Sequence, residues 1–364
     1  MLATGRYHVT DRAHAPYGFD IAVVTVPTPL REGLPDLSAV LDAAKTIRPF
    51  IGKGALVILE STVAPGTTAG VFRDTLARGF ALLGQFHVAY SPERIDPGNP
   101  TWRFANTPKL VAGTTPAARD AAVGFYESIC EEVVPVASVD VAELAKLLEN
   151  TYRHVNIALV NELARHAHEL GIDIWQVIAA AATKPYGFQP FRPGPGVGGH
   201  CLPIDPVYLS HRVQTDLGKP FDFVNLAMRV NDDQPAYIVD RAAELLNADR
   251  KALNGSGVLV LGMAYKAGTG DCRETPAARI VDLLVQRGAE VTVCDPHVNE
   301  LLGALPAGVK VETLDQMSWA ARVADLVILV TDHEEFPYDT IAGLAPRILD
   351  TRNRFPRAAN VQTL

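Results

Sequence analysis

Short apolar runs alternate with amphipathic stretches over the first third and the last third of this chain. That alternation constrains the fold most, because apolar strands separated by helices must be buried on both faces of a parallel sheet. In the first third the pattern predicts strands at Phe19–Val26, Leu56–Glu60, Phe86–Tyr90 and Lys109–Gly113. Helices are predicted at Leu37–Ile51, Gly66–Leu83 and Pro116–Ile129. In the last third it predicts strands at Val258–Met263, Val291–Cys294, Val309–Glu312, Leu326–Thr331 and Ile348–Asp350, with a helix at Thr275–Arg287. The fold class expected is α/β: two doubly wound, Rossmann-like domains joined by a central domain of long helices, the N-terminal one incomplete.

Between the two regions the period changes. Val141, Leu144, Leu148, Tyr152, Val155, Leu159 and Leu163 are spaced by three or four residues, which predicts one helix over Asp140–Leu170 with a single buried stripe. A helix over Asp173–Ala182, a Pro/Gly-rich loop over Lys184–Pro206 and a long helical stretch over Phe221–Leu246 follow. Helices this long between sheet domains serve as a spacer and a dimer surface. The domain boundaries expected are 1–135, 136–248 and 249–364.

Composition excludes several classes. A net charge of −8 gives no basic field for nucleic acid or anionic lipid, so an anion site has to be a local cluster of Arg and Lys. No run approaches the ~20 apolar residues that cross a bilayer, and the Met1–Asp20 start carries no signal-peptide core. Cys130, Cys201, Cys272 and Cys294 are far apart with no CxxC spacing, which suggests neither zinc nor a disulfide framework and fits reduced, cytoplasmic thiols. No metal is expected.

Chemistry concentrates in three segments. The loop Phe191–Pro206 packs Gly194, Gly196, Gly198 and Gly199 just before Cys201, where glycine lets backbone approach a ligand closely. Asp205 follows four residues on, sharing a face with Cys201 if the segment is helical. A small buried core cysteine is the competing reading. Lys146 and Asn150 share a face of the long helix and offer a cation and an amide to a developing oxyanion, against the alternative of a solvated helix edge. Glu93, in Ser91–Pro92–Glu93–Arg94, follows a strand directly, at the edge where doubly wound sheets bind ligands; it reads as a base or as a cap.

Taken in order, the segments Glu60–Thr67, Ser91–Arg94, Lys146–Glu162, Gly198–Gly199–His200–Cys201 and Gly262–Arg273 resemble the UDP-glucose/GDP-mannose dehydrogenase family over essentially the whole chain. The resemblance implies a four-electron oxidation of a UDP-sugar at C6 using two NAD in turn, in a homodimer. It makes Cys201 the nucleophile that forms a thiohemiacetal and then a thioester. Lys146 and Asn150 would stabilise the oxygen charge, Asp205 would lie near the base network, and Thr62 and Glu93 would position or activate water. It implies NAD contacts at Val24, Thr25, Val26, Pro27, Thr28, Ser61, Thr62 and Arg273. Substrate contacts would come from Glu93, Arg94, Lys146, Asn150, Arg192, Gly196, Val197, Gly198, Gly199, Tyr265, Lys266 and Arg352. The Ser-Pro-Glu-Arg and Gly-Gly-His-Cys segments look more like the branch acting on UDP-N-acetylglucosamine or UDP-N-acetylmannosamine than the UDP-glucose branch, which tends to carry an acidic residue where this chain has Pro97.

One part of the family pattern is missing: the opening strand, GxGxxG turn and helix that hold the first NAD pyrophosphate. A βαβ unit needs roughly 30 residues, and eighteen precede Phe19. A displaced start or a fragment is expected over a true loss of the site, since Lys146, Asn150, Cys201 and Asp205 are all kept. The chain as it stands is expected to bind NAD poorly and to expose a sheet edge. The rival readings are a UDP-glucose 6-dehydrogenase, a nucleotide-sugar-binding protein without catalysis, and a thiol acyltransferase or hydrolase.

Overall fold

The computed structural model describes residues 9, 18–78, 85–298 and 305–364. The chain divides into two compact units, one of Met1–Asn150 with Val207–Lys219 and one of Thr151–Pro206 with Pro220–Leu364.

The first unit opens with strand β1 (Phe19–Val24), a small hairpin of β2 (Leu30–Arg31) and β3 (Leu34–Pro35), helix α1 (Ser38–Ile47) and β4 (Ile51–Leu59). The expected helix to Ile51 stops early because Pro49 supplies no N–H; Arg48–Phe50 is a single tight turn, and Ile51 already belongs to β4. An irregular turn at Thr68–Phe72 leads into α2 (Arg73–Ala77), so only part of the expected Gly66–Leu83 helix is seen and residues 79–83 lie outside the described residues. Then come β5 (His87–Tyr90), β6 (Lys109–Gly113), α3 (Pro116–Glu127) and β7 (Val133–Pro135). Thr115 caps α3 by accepting from the Ala118 N–H at 3.1 Å, with Pro116 at the first turn.

These strands form one sheet in the order β1-β4-β5-β6-β7. All pairs are parallel except β5 with β6, which run antiparallel, so the sheet is mixed rather than purely doubly wound. Val57, Ile58 and Leu59 of β4 are completely buried, each contributing roughly 1.5–3 kcal/mol of apolar burial. Among the described strands β1 is an edge, and its Ile21 and Val23 are each 40% exposed.

Helix α4 (Val139–Glu169) is the single long helix expected, but its buried face is not the one the spacing suggested. Leu148 and Leu159 are 62% and 59% exposed, and Val141, Leu144, Tyr152 and Leu163 are exposed as well. The side turned inward instead carries Glu143, Lys146, Asn150, Thr151, His154 and Asn161, interleaved with Ala142, Leu147, Ala158 and Ala164. Period alone identifies a stripe; it does not say whether the stripe is covered by the same chain. Next come α5 (Ile174–Ala181), capped by Asp173, and α6 (Asp205–Leu217), which the sequence reading did not anticipate. The predicted Phe221–Leu246 helix is two, α7 (Asp222–Asp232) and α8 (Gln234–Ala248), broken where Pro235 cannot continue the ladder.

The second unit continues with β8 (Gly257–Leu261), α9 (Pro276–Gln286), β9 (Glu290–Cys294), β10 (Lys310–Glu312), α10 (Leu314–Val323), β11 (Leu326–Leu329), α11 (Tyr338–Leu344), β12 (Ile348–Asp350) and β13 (Val361–Thr363). Its sheet, ordered β10-β9-β8-β11-β12-β13, is parallel throughout. The chain leaves β8 toward β9 on one side and reaches β11 on the other, a topological switch point whose carboxyl end is where such sheets bind ligands.

Candidate active site

In the first unit, β1, β4 and β5 are parallel neighbours, so the residues that follow them line one edge. Val24 ends β1, and Thr25, Val26, Pro27 and Thr28 follow it. Ser61, just past β4, ties this segment down: its hydroxyl donates to the Val26 carbonyl at 2.7 Å and accepts the Val26 N–H at 2.9 Å. Ser61 and Thr28 are buried and Thr62 is half-buried. A short loop held by a small hydroxyl at the carboxyl ends of adjacent parallel strands fits a dinucleotide.

Glu93 follows β5 and is half-buried, and its carboxylate accepts the Ile95 N–H two residues on; no helix begins there, so the bond closes a local turn rather than capping a helix. Arg94 is committed within the unit: it meets Glu149 at 2.6 and 3.2 Å and donates to the Pro108 carbonyl at 2.8 Å. Beneath this segment lies a buried network with no counterpart in the sequence reading. Lys109 pairs with Glu60 at 2.8 Å and donates to the Pro92 carbonyl at 3.1 Å, and the Tyr126 hydroxyl donates to Glu60. Burial and the Glu60 charge push the Tyr126 hydroxyl well above its usual range. The network therefore grips the backbone immediately before Glu93.

Lys146 and Asn150, one turn apart on α4, are 6% and 4% exposed, so the solvated-edge alternative does not hold. One turn earlier Glu143 is fully buried, accepting N–H groups from Gly66 at 2.8 Å and Thr68 at 2.9 Å. Burial raises its pKa to about 7 against the opposing pull of those hydrogen bonds.

In the second unit Cys201 is exposed, which removes the core-cysteine reading. Its carbonyl accepts the Asp205 N–H at 2.9 Å, so the segment is a turn leading into α6, and Asp205 itself is buried. The glycines before it are dictated by close packing. A Cβ on Gly194 would lie 2.8 Å from the Arg352 guanidinium; Gly199, at φ +82°, would put one 2.8 Å from the Tyr265 ring. The Gly199 N–H donates to the Arg273 carbonyl at 3.0 Å, fixing the loop to the segment after β8. Tyr265 and Lys266 follow β8 at the switch point, Arg352 follows β12 one strand beyond β11, and all three are partly buried, whereas Arg192 is exposed.

Arg273 is exposed and held by Asp271 at 2.6 and 2.9 Å; that hydrogen bond raises its pKa, and Tyr265 and Cys201 act in the same direction. Asp271 thus holds Arg273 as an ion pair, and the Arg273 carbonyl anchors the Cys201 loop through Gly199. His200 has no hydrogen-bond partner at either ring nitrogen among the described residues; burial and then Arg273 lower its pKa, so the ring is neutral. Further along the same edge, His297, His333 and Glu335 bring ligand-type atoms within 4.8 Å of one another. His333 commits both nitrogens to neighbouring loops, Nε2 facing Asp295 after β9 at 3.0 Å and Nδ1 accepting the Gly268 N–H after β8 at 3.2 Å. That commitment argues for loop support rather than a cation.

A mixed sheet and a wholly parallel one, both of nucleotide-binding type, with a reachable cysteine at the end of a glycine loop, define a nucleotide-dependent enzyme. Residues 1–130, 140–233 and 259–357 match, respectively, the NAD binding, central and UDP binding domains of the UDP-glucose/GDP-mannose dehydrogenase family. The chain belongs to that family and is an NAD-dependent nucleotide-sugar dehydrogenase. It is 35% identical to a UDP-N-acetyl-D-mannosamine dehydrogenase of Pyrococcus horikoshii over 92% of this chain and 77% of that protein. It is 36% identical to a UDP-N-acetyl-D-glucosamine 6-dehydrogenase of Pseudomonas aeruginosa over 87% of this chain and 74% of that protein. The solved structure of the UDP-N-acetyl-D-mannosamine dehydrogenase from Pyrococcus horikoshii superposes with a TM-score of 0.86 at 31% identity, covering 100% of this chain and 85% of that one.

Proposed function

We propose that the protein oxidises the C6 hydroxyl of a UDP-N-acetylhexosamine, of the glucosamine or mannosamine type, to the carboxylate through a thioester on Cys201. The observation that carries this is the exposed Cys201 thiol, presented by a loop whose Gly194, Gly198 and Gly199 leave no room for a Cβ and which the Arg273 carbonyl anchors through Gly199. NAD, when bound, supplies the hydride acceptor used twice.

Loss of a hydride from C6 and a proton from its oxygen gives the aldehyde. The Cys201 sulfur bonds to C6, the carbonyl pair moves to oxygen, and the Lys146 ammonium and Asn150 amide stabilise that charge. Loss of a second hydride from C6 leaves the thioester. Water, deprotonated through Glu93 with Thr62 orienting it, adds to C6; the C–S bond breaks, the thiolate leaves and the carboxylate is released. Asp205 supports the base network. Val24–Thr28, Ser61, Thr62 and Arg273 contact NAD. Arg94, Arg192, Gly196–Gly199, Tyr265, Lys266 and Arg352 contact the UDP-sugar, with Arg and Lys supplying charge to the pyrophosphate that an acidic protein lacks elsewhere. The division of labour follows 1–135 for NAD, 136–248 for the central domain and 249–364 for the UDP-sugar, which the family matches support.

The exposed apolar row on α4 supports a homodimer formed through that helix. The thiols, none in a disulfide, and the lack among the described residues of any helix long and apolar enough to cross a membrane support a cytoplasmic setting. The test is NADH absorbance with a panel of UDP-N-acetylglucosamine, UDP-N-acetylmannosamine and UDP-glucose. At NAD concentrations high enough to offset the weak binding expected of this chain, two NADH per acid formed are expected from an N-acetyl substrate, and Cys201→Ser should abolish acid formation. Undiminished acid production by that variant would refute the thioester; turnover of UDP-glucose alone would refute the substrate.

A further inference from the structure

Beneath the Cys201 loop, within the second unit, lies a set of buried polar side chains that the reaction as written does not use. Asn161 of α4, Asn231 of α7 and Gln234 of α8 are 0%, 2% and 0% exposed, and His154 of α4 is 1% exposed. Polar groups this deep are retained only when their hydrogen bonds are met. Here the bonds converge on the loop backbone. At its start, the Gly194 N–H donates to Asn161 Oδ1 at 2.9 Å, and the Gly194 carbonyl accepts from Gln234 Nε2 at 3.0 Å, so both backbone groups of one residue are taken by side chains from two helices.

The network is continuous. Asn161 Nδ2 donates to Asn231 Oδ1 at 3.0 Å, and Asn231 Nδ2 faces His154 Nε2 at 3.4 Å. Arg165 fixes Gln234 from outside, donating to its Oε1 at 2.9 Å and to the Val230 carbonyl at 2.9 Å. His154 Nδ1 has no hydrogen-bond partner among the described residues, and Asn231 Nδ2 also donates to the His154 carbonyl at 3.3 Å. Burial pushes the His154 pKa down to about 4, so the ring is neutral and its Nε2 can accept from Asn231.

We propose that His154, Asn161, Asn231 and Gln234 are positioning residues that clamp the loop at Gly194, His154 acting through Asn231, and so fix where the Cys201 sulfur stands. The proposal rests on Cys201 being the nucleophile. An apolar core of equal volume would fill the same space but would leave Gly194 unheld and its buried N–H and carbonyl unpaired. The clamp therefore sets geometry at the sulfur without touching substrate.

Two near-isosteric variants test it, Asn161→Leu, which removes the grip on Gly194, and His154→Phe, which keeps the ring volume. Each is compared with the unaltered chain for melting temperature, Cys201 alkylation by iodoacetamide and steady-state kinetics with NAD and UDP-N-acetylmannosamine or UDP-N-acetylglucosamine. A displaced reacting atom costs about 100-fold in rate. In whichever variant remains folded, kcat is expected to fall by that order, KM for sugar and NAD to stay within about threefold, and the alkylation rate of Cys201 to change. Asn161→Asp, which keeps an acceptor for Gly194, should recover part of kcat.

A folded variant with unchanged kcat and alkylation overturns the clamp, as does activity that falls only in step with the folded fraction. Cys201→Ser separates the two levels. If it still makes acid, the nucleophile reading fails; if it does not and His154→Phe and Asn161→Leu are unaffected, only the clamp fails.

Discussion

Replacing Lys109 by Met would leave the Glu60 carboxylate buried without its cation. Both side chains are nearly sealed, at 6% and 9% exposed, and their 2.8 Å contact is accompanied by one hydrogen bond from Lys109 to the Pro92 carbonyl and one from Tyr126 to Glu60. Removing one partner of a buried pair costs about 3–5 kcal/mol, because the remaining charge keeps its desolvation penalty and loses its attraction. For a unit of this size that corresponds to a fall in melting temperature of roughly 6–20 °C. Glu60→Gln together with Lys109→Met removes both charges while keeping an acceptor for Tyr126, so the double variant should regain at least about 2 kcal/mol over the sum of the single losses. Thermal unfolding of the four proteins, followed by circular dichroism, gives the cycle. Strictly additive losses, or a cost for Lys109→Met below about 1 kcal/mol, would refute the claim that this pair organises the backbone before Glu93.

Other outcomes follow from the same geometry. Glu143 has its folded-state pKa raised from 4.5 to about 7, so its contribution to stability is complete below about pH 4.5 and is lost as pH rises through 7, on the order of 3 kcal/mol in all. Denaturation from pH 4.5 to 8 should show that decline, and Glu143→Gln should remove it; equal slopes for the two proteins would contradict the assignment. Gly199→Ala places a methyl 2.8 Å from the Tyr265 ring at φ +82°, a strain of about 1–2 kcal/mol before any clash is relieved, and acid formation should drop sharply in steady-state assays. Unchanged kinetics would show that the loop has more room than described. Leu148→Glu with Leu159→Glu should convert a dimer to a monomer in sedimentation experiments, and a dimer that persists would move the interface away from α4.

The alternation of apolar and amphipathic stretches was enough to read both sheets, because strands buried on two faces leave uninterrupted apolar runs such as Leu56–Leu59 and Leu326–Leu329. Cys201, Lys146 and Asn150 stand out through ordered motifs, and the structure finds the first exposed and the other two buried. Three things were hidden for physical reasons. The antiparallel β6 looks like any short apolar strand, since direction depends on the connection and not on the residues. Helix α6 begins inside a Pro/Gly-rich stretch, where Pro206 at its first turn reads as a breaker although that is where proline is tolerated. The inward side of α4 was hidden because the apolar stripe through Leu148 and Leu159 predicts the buried face, while Glu143 and His154, polar and unassigned, lie with Lys146 and Asn150 on the side that is in fact covered. Their three- and four-residue spacing is the signal that could have identified them, had a polar stripe been considered as readily as an apolar one.

That inversion bears on how the chain comes into being. A newly made α4, about 46 Å long at 1.5 Å per residue, faces a choice of which side to turn inward, and hydrophobicity alone favours Leu148 and Leu159. The correct roll is selected only once Glu143 finds the Gly66 and Thr68 amides and Asn161 finds Gly194, contacts far apart in sequence. Unless the leucines are covered, as in the dimer proposed above, such a protein presents greasy surface to whatever is nearby. Dilution and slow assembly are therefore expected to be harsher stresses on it than modest heat, with aggregation of unassembled chains as the visible symptom.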